Sequence, residues 1–413
     1  MSVDQLLLER STFRLRFFMG SDTMTKMLRI MRCSRFLVAG WLLLLSNSLF
    51  SQSYGDRGWQ LDSTLLDARF PAMAEWAKVG VEGGIPDSLS TKVQMTITPK
   101  DNLQESIDKV AKKGGVLLLS PGEYVINEPI YLRSGVILRG VSKKTVLLSV
   151  KIHGYFWRIK YQKRVGAILL HGIENAGVEN LTLKYDAATF QPFDRDSDSA
   201  AWSIDVFHKP EKRDTTLFVE SIWLHQSRNC WVQDCTILWS GSDPIRITSS
   251  DHMTCRRNFI DRCYNKNDGG MGYYNISNSR YVLICNETIK RIRHLAIQNF
   301  SKYNVLIDNE LEVDVNFHDG DDGFNLIQGN RSKIPMWHSW EPISDGVPNQ
   351  HLPPGKGNIL FNNELVNKAG ALLFSTEGTA YEVQSDWTKP IAVPYMENLK
   401  IQTLYPVKRS NKL

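Results

Sequence analysis

The chain has no Cys-X-X-Cys pair, no Gly-Lys-Ser/Thr phosphate loop and, beyond residue 45, no long apolar run. Each absence removes a class. Past the leader described below, five cysteines remain, Cys230, Cys235, Cys255, Cys263 and Cys285, at gaps of 5, 20, 8 and 22 residues. An odd number at such gaps is neither a disulfide framework nor a zinc site. They read as small buried hydrophobes, with one stacked disulfide admissible in an exported protein. The glycine-rich stretch Tyr264–Tyr274 opens no helix and lacks the phosphate-loop lysine, which excludes a nucleotide site. Counting from Asp319, the twelfth position is Asn330 rather than Glu, which excludes an EF-hand. Basicity is also missing once the leader is set aside. The first 52 residues hold seven of the 49 Lys and Arg and three of the 44 Asp and Glu, leaving a remainder near +1. Composition therefore makes no case for nucleic acid.

A basic run, Met27–Arg35, precedes an apolar run over 36–45 and a small polar stretch ending at Gln52. That order is a secretory signal peptide, with an apolar core too short to span a bilayer. The expectation is an exported protein, secreted, periplasmic or on the cell surface, without stable membrane insertion. Residues 1–26 read as an upstream start or a long leader. Four regions follow: the leader 1–52, an N-terminal segment 53–94, a repetitive body 95–375, and a tail or cap 376–413.

The body opens with one amphipathic helix. Asp101 is placed to cap it with Gln104 at the capping-box position, Leu103, Ile107, Val110 and Ala111 share a face, and Gly114 and Gly115 end it. Short apolar strands then follow without further helices. An Asn or Asp between apolar strands recurs at Asn180, Asp234, Asn258, Asn286, Asn309 and Asn363, at intervals of 54, 24, 28, 23 and 54. A period near 25 without helices predicts a β-solenoid, each 54 being one period plus an insertion. Coils about 4.8 Å apart would then stack these amides into a ladder.

The opening helix, the Gly114-Gly115-Val116 entry, the Ser120–Tyr124 turn and the Gly135–Gly140 coil resemble the start of the pectin-lyase-like superfamily. The resemblance covers about 95–375 and implies an all-β fold, a right-handed parallel β-helix with a short N-terminal capping helix. Members include polygalacturonases, pectate lyases, carrageenases, alginate-active enzymes, epimerases and non-enzymatic adhesins, so fold alone does not give the reaction.

Chemistry is densest at Phe317–Gly323, where His318, Asp319, Asp321 and Asp322 lie among glycines. Carboxylates so close need a cation, a proton or donors to relieve them. Aligning the coils makes Pro244–Ile247, Met271–Ile276, Arg293–Gln298 and Val315–His318 successive rungs of one sheet. Alternation then turns Arg246, Tyr273, Gln298 and His318 outward, or their neighbours, with Ile245, Ile247 and Ile297 inward. The expected catalytic set is His318, Asp319, Asp321, Asp322 and Arg293. The expected substrate-binding set is Arg246, Asp268, Tyr273, Tyr274, His294, Gln298, Trp337 and Trp340. Two long insertions, about 185–216 and 331–356, are expected to frame that face with aromatic platforms. Lys290–His294 is a cationic cluster, or an edge neutralised by neighbouring acids.

Gly320-Asp321-Asp322 resembles the Gly-Asp-Asp element of polygalacturonases, whereas their Asn-Thr-Asp and Gly-His-Gly elements are absent and Arg291-Ile-Arg293 precedes the acids. Three functions remain. An exported, monomeric glycoside hydrolase would cut an acidic or sulfated polysaccharide with the Asp cluster. A polysaccharide lyase would use Arg293, Arg246, His318 and Tyr273 for β-elimination. A non-catalytic glycan-binding solenoid is the third. No cofactor or metal is expected, although the Asp cluster admits a calcium ion.

Overall fold

The structure, a computed structural model, describes residues 54–88, 90–154, 165–187, 217–264, 272–336, 338, 340–347, 349–374, 378–384 and 392–410. The expected signal peptide, the aromatics Phe190, Phe193 and Trp202 of the first insertion, and the site residues Asp268 and Trp337 lie outside these residues. Among the described residues no helix is long and apolar enough to cross a membrane.

Three sheets of ten, eight and twelve strands carry the chain. Consecutive strands visit them in turn, as Phe259–Cys263, Tyr273–Ser277 and Leu283–Cys285 do, and the next coil repeats the visit with Thr288–Lys290, His294–Gln298 and Val305–Ile307. Each strand pairs in parallel and in register with its equivalent one coil away. This is a right-handed parallel β-helix.

Alternation fills its interior. Ile247, Ile276, Ile297 and Phe317 stack as one column, and Tyr274, Leu295, Val315 and Ile343 as another. The five cysteines are buried free thiols, so no stacked disulfide forms. Burial pushes those of Cys230, Cys235 and Cys285 up to about 12, which leaves them inert.

The recurring Asn is two adjacent positions rather than one. Asn180, Asp234 and Asn286 sit at the corner itself, with φ of 53°, 56° and 54°, a conformation that Asn and Asp tolerate better than other side chains. Asn258, Asn309 and Asn363 sit one residue later and form the ladder. There the Cys235 N–H donates to Asn258 Oδ1 (2.8 Å), Asn258 Nδ2 to Glu287 Oε1 (2.7 Å), the Glu287 N–H to Asn309 Oδ1 (2.9 Å), and Asn309 Nδ2 to Asn330 Oδ1 (2.8 Å). Asn330 Nδ2 closes the run on Asn363 (3.1 Å). Asn330 is the coil missed in the sequence: the last 54-residue interval is two coils of 21 and 33 residues. Ser227, Ser250, Ser279 and Ser301 make a second ladder, each backbone N–H donating to the next hydroxyl at 3.1 Å.

Both ends are covered. Helix Leu103–Ala111 buries Leu103, Ile107 and Val110 against the first coils, but its cap is Asn102 with Glu105, one residue beyond the expected Asp101 and Gln104. Asp101 instead accepts from Thr98. At the other end Ala380–Val383 and Ala392–Met396 add to the twelve-stranded sheet antiparallel, which ends the coiling. The described residues of the N-terminal segment pack back on the solenoid. Phe70, Met73, Trp76 and Val79 pack with Leu404 and Tyr405 on the outer face of that sheet, over Leu283, Val305, Leu326 and Phe361.

The ladder holds one ionisable group, Glu287, wholly buried and with Oε2 unpartnered. Burial raises its carboxyl to about 8, so it is protonated in the folded chain at neutral pH. A raised carboxyl stabilises below its unfolded pKa, and that stability is lost as pH rises through about 8. Thermal unfolding is expected to show the wild type weakening between about pH 5 and 8 relative to Glu287→Gln and running parallel to it above that; parallel profiles throughout would show Glu287 to be ionised. Asn330→Ala strips the acceptor from two buried Asn309 donors and is expected to cost about 2–5 kcal/mol in denaturant unfolding.

Candidate functional site

The outer face of the eight-stranded sheet carries polar columns that the register lines up. One runs Arg246, Asn275, Ala296, Asn316, Ser344, and another His171, His225, Thr248, Ser277, Gln298, His318. Tyr273 pairs with His294 in a third. Arg246, Tyr273, Gln298 and His318 therefore do face outward together.

Most of these outward groups are nevertheless buried, because the second insertion lies over them. Trp340 sets its ring edge-on to His294 at 4.3 Å, and His351 packs on His318 at 4.2 Å. Beneath them His294 Nδ1 meets the buried Asp314 carboxylate at 2.8 and 2.9 Å. Asp314 also accepts from Ser344 and from Asn316 Nδ2. His338 Nε2 donates to the Arg293 carbonyl (3.0 Å), and its Nδ1 accepts from the Trp340 N–H (3.3 Å). That arrangement fixes a neutral ring, and burial lowers His338 to about 4. Burial also raises Asp314, to about 6.

His318 is the half-buried group at the end of its column. Its Nδ1 is buried without a partner. Burial, then His294, His351 and Arg293, lower it to about 3, so its imidazole is neutral across ordinary pH. Tyr273 stands edge-on to it at 5.8 Å, and the Arg293 guanidinium lies over the rings of Tyr273 (5.4 Å) and Trp340 (5.2 Å).

The Asp cluster does not converge. Asp321 is buried at a corner, where it accepts from Gly323 N (2.7 Å), Asn358 Nδ2 (2.8 Å), Asn325 Nδ2 (3.1 Å) and Gly355 N (3.1 Å). Four donors make it the anchor of an Asn304–Asn325–Asn358 ladder, not an accessible acid. Asp322 is exposed, 3.8 Å from Lys302. Asp319, at φ 54°, accepts from the Leu352 N–H at 3.3 Å and stays near the site. The glycines bend the chain so that adjacent acids leave in different directions.

Other expected contacts fall away too. Tyr274 is in the core, because it is one residue out of phase with Tyr273. Arg246 is held by buried Asp243 (2.7 Å), and Gln298 donates to Asn275 Oδ1 (2.8 Å). In the cationic cluster Lys290 pairs with Glu312 (2.9 Å) and Arg291 with Asp261 (2.6 and 2.7 Å), so those two form a neutralised edge. Among the described residues His318, Arg293, Trp340, His351, Asp319 and Asp345 remain half-exposed. Sequence reasoning assigned no role to Asp314, His338, His351 or Asp345. The two histidines of the second insertion were the available signal. Among the described residues no cluster of three or more His, Cys, Asp or Glu suits a metal ion.

A lowered histidine costs stability as pH falls, because the unfolded chain takes the proton first, from about 6.5 downward. His338→Gln keeps a donor for the Arg293 carbonyl and cannot take that proton. Its melting temperature is expected to rise relative to wild type as pH goes from 7 to 4, read by calorimetry. A constant difference would mean that His338 is not held neutral.

No family model matches the chain, and no curated protein matches it. Among solved structures it is similar to a polygalacturonase from Erwinia carotovora ssp. carotovora, at 13% identity over 70% of this chain and 89% of that one, TM-score 0.43. A pectin methylesterase from carrot matches at 9% identity over 70% and 87%, TM-score 0.41. The A-module of a mannuronan C-5 epimerase from Azotobacter vinelandii matches at 17% identity and TM-score 0.33, over 56% of this chain and 62% of that module's length. What these likenesses share with the chain is the fold that its own strand pairing shows, a parallel β-helix.

Proposed function

We propose that the protein cleaves an acidic polysaccharide by β-elimination at a uronate residue, with His318 as the base. The observation that carries this reading is a neutral, half-buried His318 beside Arg293, backed by Tyr273, while the three acids after it diverge. A base must be unprotonated at working pH, as burial keeps this imidazole in the free protein; the uronate carboxylate, in offsetting the Arg293 charge that lowers it, raises its basicity once substrate is bound.

The roles follow from charge. Arg293 neutralises the uronate carboxylate, which acidifies the neighbouring C5–H. His318 takes that proton. The C5–H electron pair forms the C4=C5 double bond, the bond from C4 to the glycosidic oxygen breaks, and the His318 imidazolium passes its proton to the departing oxygen, while Tyr273, wholly buried, backs the imidazole ring. His294, fixed by Asp314, packs edge-on against Tyr273 at 4.8 Å and holds its ring in place. Trp340 and His351 offer flat surfaces at the rim.

Hydrolysis is the second reading and rests on Asp345. Its Oδ2 is buried without a partner and burial raises its carboxyl to about 6, a suitable poise for a general acid. Asp319 is the carboxylate available to activate water.

Incubation with polygalacturonate, alginate and carrageenan, following both reducing ends and the absorbance of unsaturated uronates, separates the readings. Elimination yields both signals, and His318→Ala is expected to lower its rate about 10²–10⁴-fold with folding retained. Reducing ends without the chromophore, lost in Asp345→Asn and kept in His318→Ala, would establish hydrolysis instead.

A further inference from the structure

The outer face of the twelve-stranded sheet changes character along its length. One register column reads Leu118, Arg139, Glu179, Gln233, Arg256, and then Cys285, Ile307. The terminal segments cover its apolar half. The polar half stays open as a groove of about 1020 Å³, edged by residues 85–88 and Ser90 of the N-terminal segment.

Six cations and four carboxylates line this groove. Three of the carboxylates are already taken: Glu179 by Arg139 (2.5 Å), Asp56 by Arg256 (2.7 Å) and Asp234 by Arg257 (2.7 Å). Arg57, Lys143 and Arg409 are left without a carboxylate partner among the described residues. Arg139 adds an inward donor, since its Nε serves Glu179 and its Nη1 the Ser88 carbonyl (3.2 Å), while Nη2 is buried and unbonded. A fixed guanidinium with one unspent N–H, inside a ring of unspent charge, is a site prepared for an anion. No aromatic residue lines the groove among the described residues, so it offers nothing on which a nucleobase could stack. Asn180, Gln233 and Ser90 also line it, but their side chains are spent on internal hydrogen bonds, so the charges carry the recognition.

We infer that this groove is a second, non-catalytic binding site for a short run of anionic polysaccharide, its carboxylates or sulfates held by Arg57, Lys143, Arg409 and the free N–H of Arg139. It lies on a different sheet from the His318 site and contributes nothing to bond cleavage. A chain held there would keep the enzyme on its polymer, by an avidity that short substrates do not feel.

Titration calorimetry of hexagalacturonate into His318→Ala protein at low salt tests this, with a neutral dextran hexasaccharide as control. The combined variant Arg57→Gln, Lys143→Gln, Arg409→Gln is expected to lose one binding site per chain, or to weaken it about tenfold. That loss appears whether or not the His318 site binds sugar, so it is separable from the elimination reading. Arg139→Lys, which keeps the pair to Glu179 and withdraws Nη2, is expected to weaken the same site. The combined control Lys112→Gln, Lys113→Gln, Lys400→Gln removes equal charge elsewhere and is expected to change nothing. Equal loss in the control, undiminished binding in the groove variant, equal binding of the neutral sugar, or displacement by inorganic sulfate as readily as by the hexamer would each overturn the inference.

Discussion

Side-chain amides buried at the corners set the register on which everything else in this protein depends. A parallel coil has no hairpin to fix its pairing, and slipping a strand by one residue would turn its apolar side chains outward. Asn258, Glu287, Asn309, Asn330 and Asn363 prevent that by tying each corner's backbone N–H to the next coil's side chain. Asp321 does the same service where the Asn325 and Asn358 amides converge. An acid that looks catalytic in isolation is thus spent on holding three coils in step.

Because the coils are in step, outward residues far apart in the chain become neighbours. His294 meets Asp314 across 20 residues and His338 meets the Arg293 carbonyl across 45. The insertion then excludes water from them. Burial holds His338 and His318 neutral and leaves Asp314 and Asp345 with raised carboxyls. Opposite shifts in adjacent acids and bases give the site its poise, and they come from one cause, the covering of a polar sheet face by a loop.

The twelve-stranded sheet shows the complementary case. Where its outer column is apolar, the terminal segments fold back and bury it; where it is charged, they only edge it. The same scaffold therefore presents a covered face, a charged groove and a lidded polar shelf, each dictated by which residue types the register places in a column.

The fold was legible in the sequence because a solenoid repeats one local rule. Corner Asn and Asp, two-residue alternation and the absence of helices identified the coil, the rungs and the inward Ile247 and Ile297. The ladder was read one position out of phase at Asn180, Asp234 and Asn286, since Asn serves both the strained corner and the amide ladder. The site was legible only in part. Alignment of rungs placed His318, Arg293 and Tyr273 on one face and the second insertion offered Trp340, but the divergence of Asp319, Asp321 and Asp322 depends on backbone bends at Gly320 and Gly323. Asp314, His338, His351 and Asp345 acquire their neighbours only when the 33-residue coil folds over the sheet. Local periodicity determined the coil; the protonation states and the accessible set were decided by burial, which only the tertiary structure creates.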